Sequence, residues 1–65
     1  MRFRGTFTWM GMSYTLYTET TNRTRAFNNF LHQIAKKVGY SYQYVFRYFM
    51  SGKDNYLIEE VKSDG

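Results

Sequence analysis

The sequence predicts a small α+β fold in the order ββααβ. Three observations point there. Side-chain polarity alternates with a period of two from Arg2 to Glu19, changes to helical spacing from Ala26, and alternates again from Tyr56 to Val61. A ββαββ sandwich is the competing arrangement, and residues 40–50 decide between the two.

In the first segment Phe3, Gly5, Phe7 and Trp9 point one way and Arg2, Arg4, Thr6 and Thr8 the other, as in a half-buried strand. Met10-Gly11-Met12 holds the turn-competent glycine. Ser13 to Glu19 then resumes, with Tyr14, Leu16 and Thr18 opposite Thr15 and Tyr17, so a β-hairpin centred near Gly11 is expected. Thr20, Thr21 and Asn22 are N-cap residues by type. After them Phe27, Phe30, Leu31, Ile34, Ala35 and Val38 share one helical face, with Asn28, Asn29, His32, Gln33, Lys36 and Lys37 opposite. Lys36 and Lys37 suit the negative end of the helix dipole, and Gly39 suits the left-handed residue that closes a helix.

Residues 40–50 read two ways. As a strand, Tyr40, Tyr42, Tyr44, Phe46 and Tyr48 make one aromatic face, and intrinsic propensity favours this. As a helix capped by Ser41 and closed by Gly52, Tyr42, Val45, Phe46 and Phe49 make an i, i+3, i+4, i+7 stripe. The capping residues and the Ala35, Gly39, Val45 spacing favour the helix, which is the reading adopted. Ser51 to Asn55 has the composition of a turn. The strand Tyr56–Val61, with Tyr56, Ile58 and Glu60 against Leu57, Glu59 and Val61, then joins the hairpin.

At 65 residues the chain is expected to form one domain, residues 1–65, near the lower size limit for unaided folding. Without cysteine it has neither disulfide nor thiolate zinc site. The core must come from seven Tyr, six Phe and one Trp, and a chain so small and aromatic is expected to self-associate as a homodimer. No apolar run approaches the roughly 20 residues of a membrane span. No signal-peptide apolar region opens the chain, so a cytoplasmic location without membrane contact is expected. Residues 1–53 hold eight Lys/Arg against Glu19, a net +7, whereas the end from Asp54 is −3. A basic body suits a polyanionic partner, and equally it serves solubility alone.

The segment from Leu31 to Met50 resembles a helix-turn-helix of the phage repressor and Cro-like type. Ile34, Ala35, Val38, Gly39, Val45 and Tyr48 stand where those families place the helix crossing, the turn and the apolar anchors. The resemblance implies that Ser41, Tyr42 and Gln43, with Phe46 or Arg47, face a major groove. Gln43 would then pair with adenine, Arg47 with guanine or phosphate, and Ser41 with phosphate. The chain departs from the pattern in its aromatic-rich second helix, in Tyr40 where a smaller aliphatic is common, and in a hairpin replacing the preceding helix. A plain helical hairpin packed on a sheet accounts for the same spacing.

Arg23 and Arg25 in the first turn of the first helix oppose its dipole, yet an anion there would gain from both the N–H groups and the guanidinium forks. The bland alternative leaves both arginines solvated and starts the helix at Thr24. If residues 40–48 form a strand, the interleaved Tyr40, Tyr42, Tyr44, Arg47 and Tyr48 suit base stacking, and the same residues equally suit a protein-binding surface. Phe27, Phe30, Phe49 and Trp9 read as core. Catalysis has little support: His32 lacks a carboxylate at i±4, Glu59 and Glu60 point to opposite faces of a strand, and no metal-ligand cluster or phosphate-cradling loop occurs. Neither enzymatic activity nor a cofactor is expected.

A threonine-rich hairpin, then Asn22-Arg23-x-x-Ala26-Phe27-Asn28-Asn29 at a helix start, then Tyr56-Leu57-Ile58-Glu59-Glu60-Val61, resembles small phage-encoded accessory proteins. That resemblance implies a viral origin, with work in a host cytoplasm. The leading expectation is a small basic protein that binds nucleic acid, DNA rather than RNA, using Ser41, Tyr42, Gln43, Phe46, Arg47, Arg23, Arg25, Lys36 and Lys37. The alternative is a viral inhibitor or adaptor that docks on a host protein through a Tyr-rich face. Basic residues gathered on one face would favour the first, and tyrosines clustered in the open the second.

Overall fold

A computed structural model describes residues 1–51 and 55–62. The elements are β1 (Arg2–Trp9), β2 (Met12–Glu19), α1 (Arg23–Val38), α2 (Tyr42–Met50) and β3 (Tyr56–Val61), the ββααβ order expected from the polarity pattern. The sheet is antiparallel with strand order β2-β1-β3, so the hairpin's first strand is the centre and β3 adds on its free side.

Trp9 pairs with Met12, leaving Met10 and Gly11 as a two-residue turn with φ of 47° and 85°. Positive φ at both positions is the sign pattern of a type I′ turn, whose twist matches that of the flanking strands. Inside the sheet Phe3, Phe7 and Trp9 are buried and alternate with Arg2, Arg4, Thr6 and Thr8 on the open face. Gly5 is central to this packing. A Cβ at Gly5 would stand 2.6 Å from the Phe7 ring and 2.8 Å from the Phe30 ring, so only glycine lets α1 approach so closely.

Asn22 caps α1: its Oδ1 accepts from the Arg25 N–H at 2.9 Å. The helix therefore starts at Arg23, not at Thr24. Ala26, Phe30, Leu31, Ile34 and Ala35 are its buried stripe. Gly39, at φ 79° and ψ 24°, turns the chain left-handed while its own N–H and that of Tyr40 both donate to the Ala35 C=O. Ser41 then caps α2, its Oγ accepting from the Tyr44 N–H at 3.3 Å.

The helix at 42–50 rules out the ββαββ alternative. Packing overrides the β-propensity of these residues, because the helical period puts Val45 and Phe49 together in the core. Phe49 meets Phe7 edge-on at 5.1 Å and Phe30 meets Phe7 at 5.5 Å, while Tyr56 of β3 stacks on Phe7 at 5.4 Å. Gly52, expected to close α2, and positions 53 and 54 of the expected turn lie outside the described residues.

On the open face Arg4 Nη2 donates to Glu59 Oε1 at 2.8 Å across β1 and β3, and Arg2 lies over the Tyr17 ring at 5.2 Å. The hydrogen bond to Glu59, followed by its charge, holds the Arg4 guanidinium above its ordinary pKa.

Candidate functional site

α1 and α2, joined by Gly39, Tyr40 and Ser41, have a helix-turn-helix-like arrangement. A sheet supports them where a third helix would stand. The geometry gives α2 three occupied flanks. Val45 and Phe49 point into the core; Tyr42 and Phe46 lean on α1; Tyr44 and Tyr48 lean on Trp9.

This distribution changes the roles of the residues expected to read a groove. The Ser41 hydroxyl is engaged as the cap of α2. The Tyr42 hydroxyl donates to Asn28 Oδ1 at 2.7 Å, and its ring stacks on His32 at 4.3 Å. Phe46 packs edge-on against Phe27 at 6.3 Å. Ser41, Gln43, Phe46 and Arg47 are exposed, and of these Gln43 and Arg47 have no side-chain hydrogen bond or ring contact among the described residues; they lie beside Tyr42 and Phe46 in a shallow groove of about 320 Å³.

The cations are dispersed. Arg2 and Arg4 lie on the open sheet face, and Arg25 is exposed in the first turn of α1. Lys36 and Lys37 are in the last turn of α1, and Arg47 is in the last turn of α2. Arg23 is not simply solvated: its Nη1 donates to the Ile58 C=O at 2.8 Å, at the edge of β3.

The tyrosines, by contrast, gather. The Trp9 indole, 4% exposed, is covered by Tyr48 at 4.5 Å, Tyr40 at 5.5 Å and Tyr44 at 6.0 Å between ring centroids. Tyr40 and Tyr44 stack on each other at 4.9 Å and remain 47% and 48% exposed. The Tyr48 hydroxyl accepts from the Met10 N–H at 3.3 Å and so ties α2 to the hairpin turn. Met10 and Met12 then extend the patch, 55% and 61% exposed, Met12 directly across from Trp9 in the ladder. None of these six residues is Asp, Glu, Lys, Arg or His. Met10 and Met12 looked in the sequence like mere turn residues; the signal that could have found them is a Met10–Gly11 turn followed by Met12, directly beside the chain's only tryptophan.

Glu59 is held by Arg4 on the open face, while Glu60 belongs to the opposite register position. Among the described residues no group of three His, Cys, Asp or Glu is placed to hold a metal ion, and no helix is long and apolar enough to cross a membrane.

No protein-family model, curated protein or solved structure matches the chain. The helix-turn-helix-like pair is thus shared geometry, with no homology tying it to phage repressors or Cro-like proteins.

Proposed function

We propose that the protein is a non-enzymatic interaction module that docks on another protein through Met10, Met12, Tyr40, Tyr44 and Tyr48. The observation that carries this is the stacked, half-exposed Tyr40–Tyr44 pair set over a buried Trp9 with no charge in the patch. Tyrosine offers large contact area with few rotors to immobilise, and methionine adapts to an irregular partner surface. Depletion of charge at the centre with enrichment in Tyr, Trp and Met is the composition of an interface core. The partner that fits is a protein presenting an uncharged apolar surface. An inhibitor or adaptor works by such occupancy.

Nucleic-acid binding is the second reading, supported by the helix-turn-helix-like pair and the basic body. In it Gln43 and Arg47 would meet bases or phosphate, with Arg25, Lys36 and Lys37 on phosphates. It is weaker because Ser41, Tyr42 and Arg23 are engaged within the fold and the remaining cations are divided between the two ends of α1, the last turn of α2 and the open sheet face.

Two variants separate the readings: Tyr40→Ser/Tyr44→Ser in the patch, and Arg25→Gln/Lys36→Gln/Arg47→Gln in the cations. A photo-crosslinker at Met12 is expected to trap one saturable protein partner, which the tyrosine variant loses and the glutamine variant keeps. Titrations of labelled duplex and single-stranded DNA at two salt concentrations run beside it. Tight, steeply salt-dependent DNA binding that the glutamine variant loses and the tyrosine variant retains would overturn the proposal.

A further inference from the structure

Among the described residues β3 is an edge strand with nothing paired on its outer side. Residues of an antiparallel edge strand turn their N–H and C=O groups alternately toward the neighbour and away from it. The Thr8 N–H donates to the Asn55 C=O at 2.7 Å, which fixes the phase: Leu57, Glu59 and Val61 face β1, and Tyr56, Ile58 and Glu60 face outward. The bond from Arg23 to the Ile58 C=O fits this phase, because it reaches an outward carbonyl. Among the described residues no other hydrogen bond reaches the outward backbone groups of these three. Beside this edge runs a groove of about 460 Å³ whose walls include Phe27, Met50, Tyr56 and Ile58, with Arg23 at its side.

The β2 edge differs. There the Tyr17 C=O accepts from Gln33 Nε2 at 3.5 Å, and the outward residues Ser13, Thr15 and Tyr17 carry their side chains on the open sheet face. Pairing at β2 would bury threonine, whereas pairing at β3 would cover an apolar groove.

We infer that β3 pairs antiparallel with β3 of a second copy of this chain, about a two-fold axis at Ile58. The product is a six-stranded sheet, β2-β1-β3-β3-β1-β2, with both helical layers on one face. Self-complementarity selects this occupant over an unrelated peptide. The register sets Ile58 opposite the partner's Ile58 and Tyr56 opposite the partner's Glu60. Among the described residues Glu60 has no ion pair or side-chain hydrogen bond, and this register carries its charge to the edge where the other copy's Arg23 waits. Arg23 would exchange a neutral carbonyl for the partner's Glu60 carboxylate, so that a hydrogen bond with one ionised partner becomes one with both ionised. The released Ile58 C=O then accepts from the partner's Ile58 N–H. Symmetry makes each of these exchanges occur twice.

Sedimentation equilibrium of the full chain from micromolar to millimolar concentration reads the association directly. A monomer–dimer equilibrium is expected. Glu60→Pro removes an N–H that faces away from β1, a place where an edge strand tolerates proline, and is expected to weaken the dimer by at least about tenfold. Arg23→Glu and Glu60→Arg are each expected to be monomeric alone and to form a heterodimer on mixing. If circular dichroism shows that Glu60→Pro unfolds the chain, the charge-reversal pair decides by itself. A monomer throughout the range overturns the inference. So does a dimer that survives both charge reversals, or one that Tyr40→Ser/Tyr44→Ser dissolves instead.

Discussion

Gly5→Ala is the most demanding test of the packing between β1 and α1. The added methyl would lie 2.6 Å from a Phe7 ring carbon and 2.8 Å from two Phe30 ring carbons, against an ordinary carbon–carbon contact of about 3.5–4.0 Å. Neither ring has room to retreat. Phe7 and Phe30 are fully buried, and Phe7 is also in contact with Phe49 at 5.1 Å and Tyr56 at 5.4 Å. Replacing glycine by alanine in an accommodating strand would stabilise by about 0.4–1 kcal/mol through the unfolded chain. Overpacking a filled core costs about 1–3 kcal/mol, and with two rings in the way the upper half of that range applies. The net expectation is a loss of about 1–2 kcal/mol. For a domain this size each kcal/mol lowers Tm by about 4–8 °C, so thermal melts followed by circular dichroism should fall by about 5–15 °C. A Tm equal to or above that of the parent protein would refute the close approach of α1 to the centre of β1.

Two further substitutions probe the turn and the helix pair. Met10→Asn replaces a side chain held at φ 47° by one that tolerates the left-handed region, and should raise the urea midpoint by the equivalent of about 1 kcal/mol. It also removes an exposed methionine from the patch, so partner affinity should fall as stability rises. Tyr42→Phe deletes the hydroxyl that donates to Asn28 at 2.7 Å in a half-buried setting, and should cost about 1 kcal/mol in the same assay. Unchanged stability there, joined to a loss of DNA binding, would instead return Tyr42 to the role of a groove reader.

The strands were legible because their polarity alternates with one face buried: the sets Phe3, Phe7, Trp9 and Arg2, Arg4, Thr6 separate as their spacing demands. α1 was legible from its stripe and from Gly39. α2 was readable only by weighing Ser41 and the Ala35, Gly39, Val45 spacing against local β-propensity, since the contacts that favour helix come from Phe7 and Trp9, far away in sequence. The site was less visible. Trp9 was placed correctly in the core, but its three tyrosine covers come from α2 and the connection before it, and Met12 joins them only through the register of the hairpin. Arg23 looked like an anion ligand because its true acceptor, the Ile58 carbonyl, lies 35 residues away.

The burial of Trp9 under Tyr40, Tyr44 and Tyr48 has an optical consequence. It is the chain's one indole, so light absorbed at the red edge, where tyrosine no longer absorbs, is emitted from a single source, and three tyrosines a few ångströms away can pass excitation to it. Shielded from water, that indole should emit toward the blue, and any molecule that settles on the exposed tyrosines alters the polarity and quenching around it. The chain thus carries its own unlabelled reporter directly beneath the surface proposed for its partner, and titration with a ligand seated anywhere else should leave the colour of that emission unchanged.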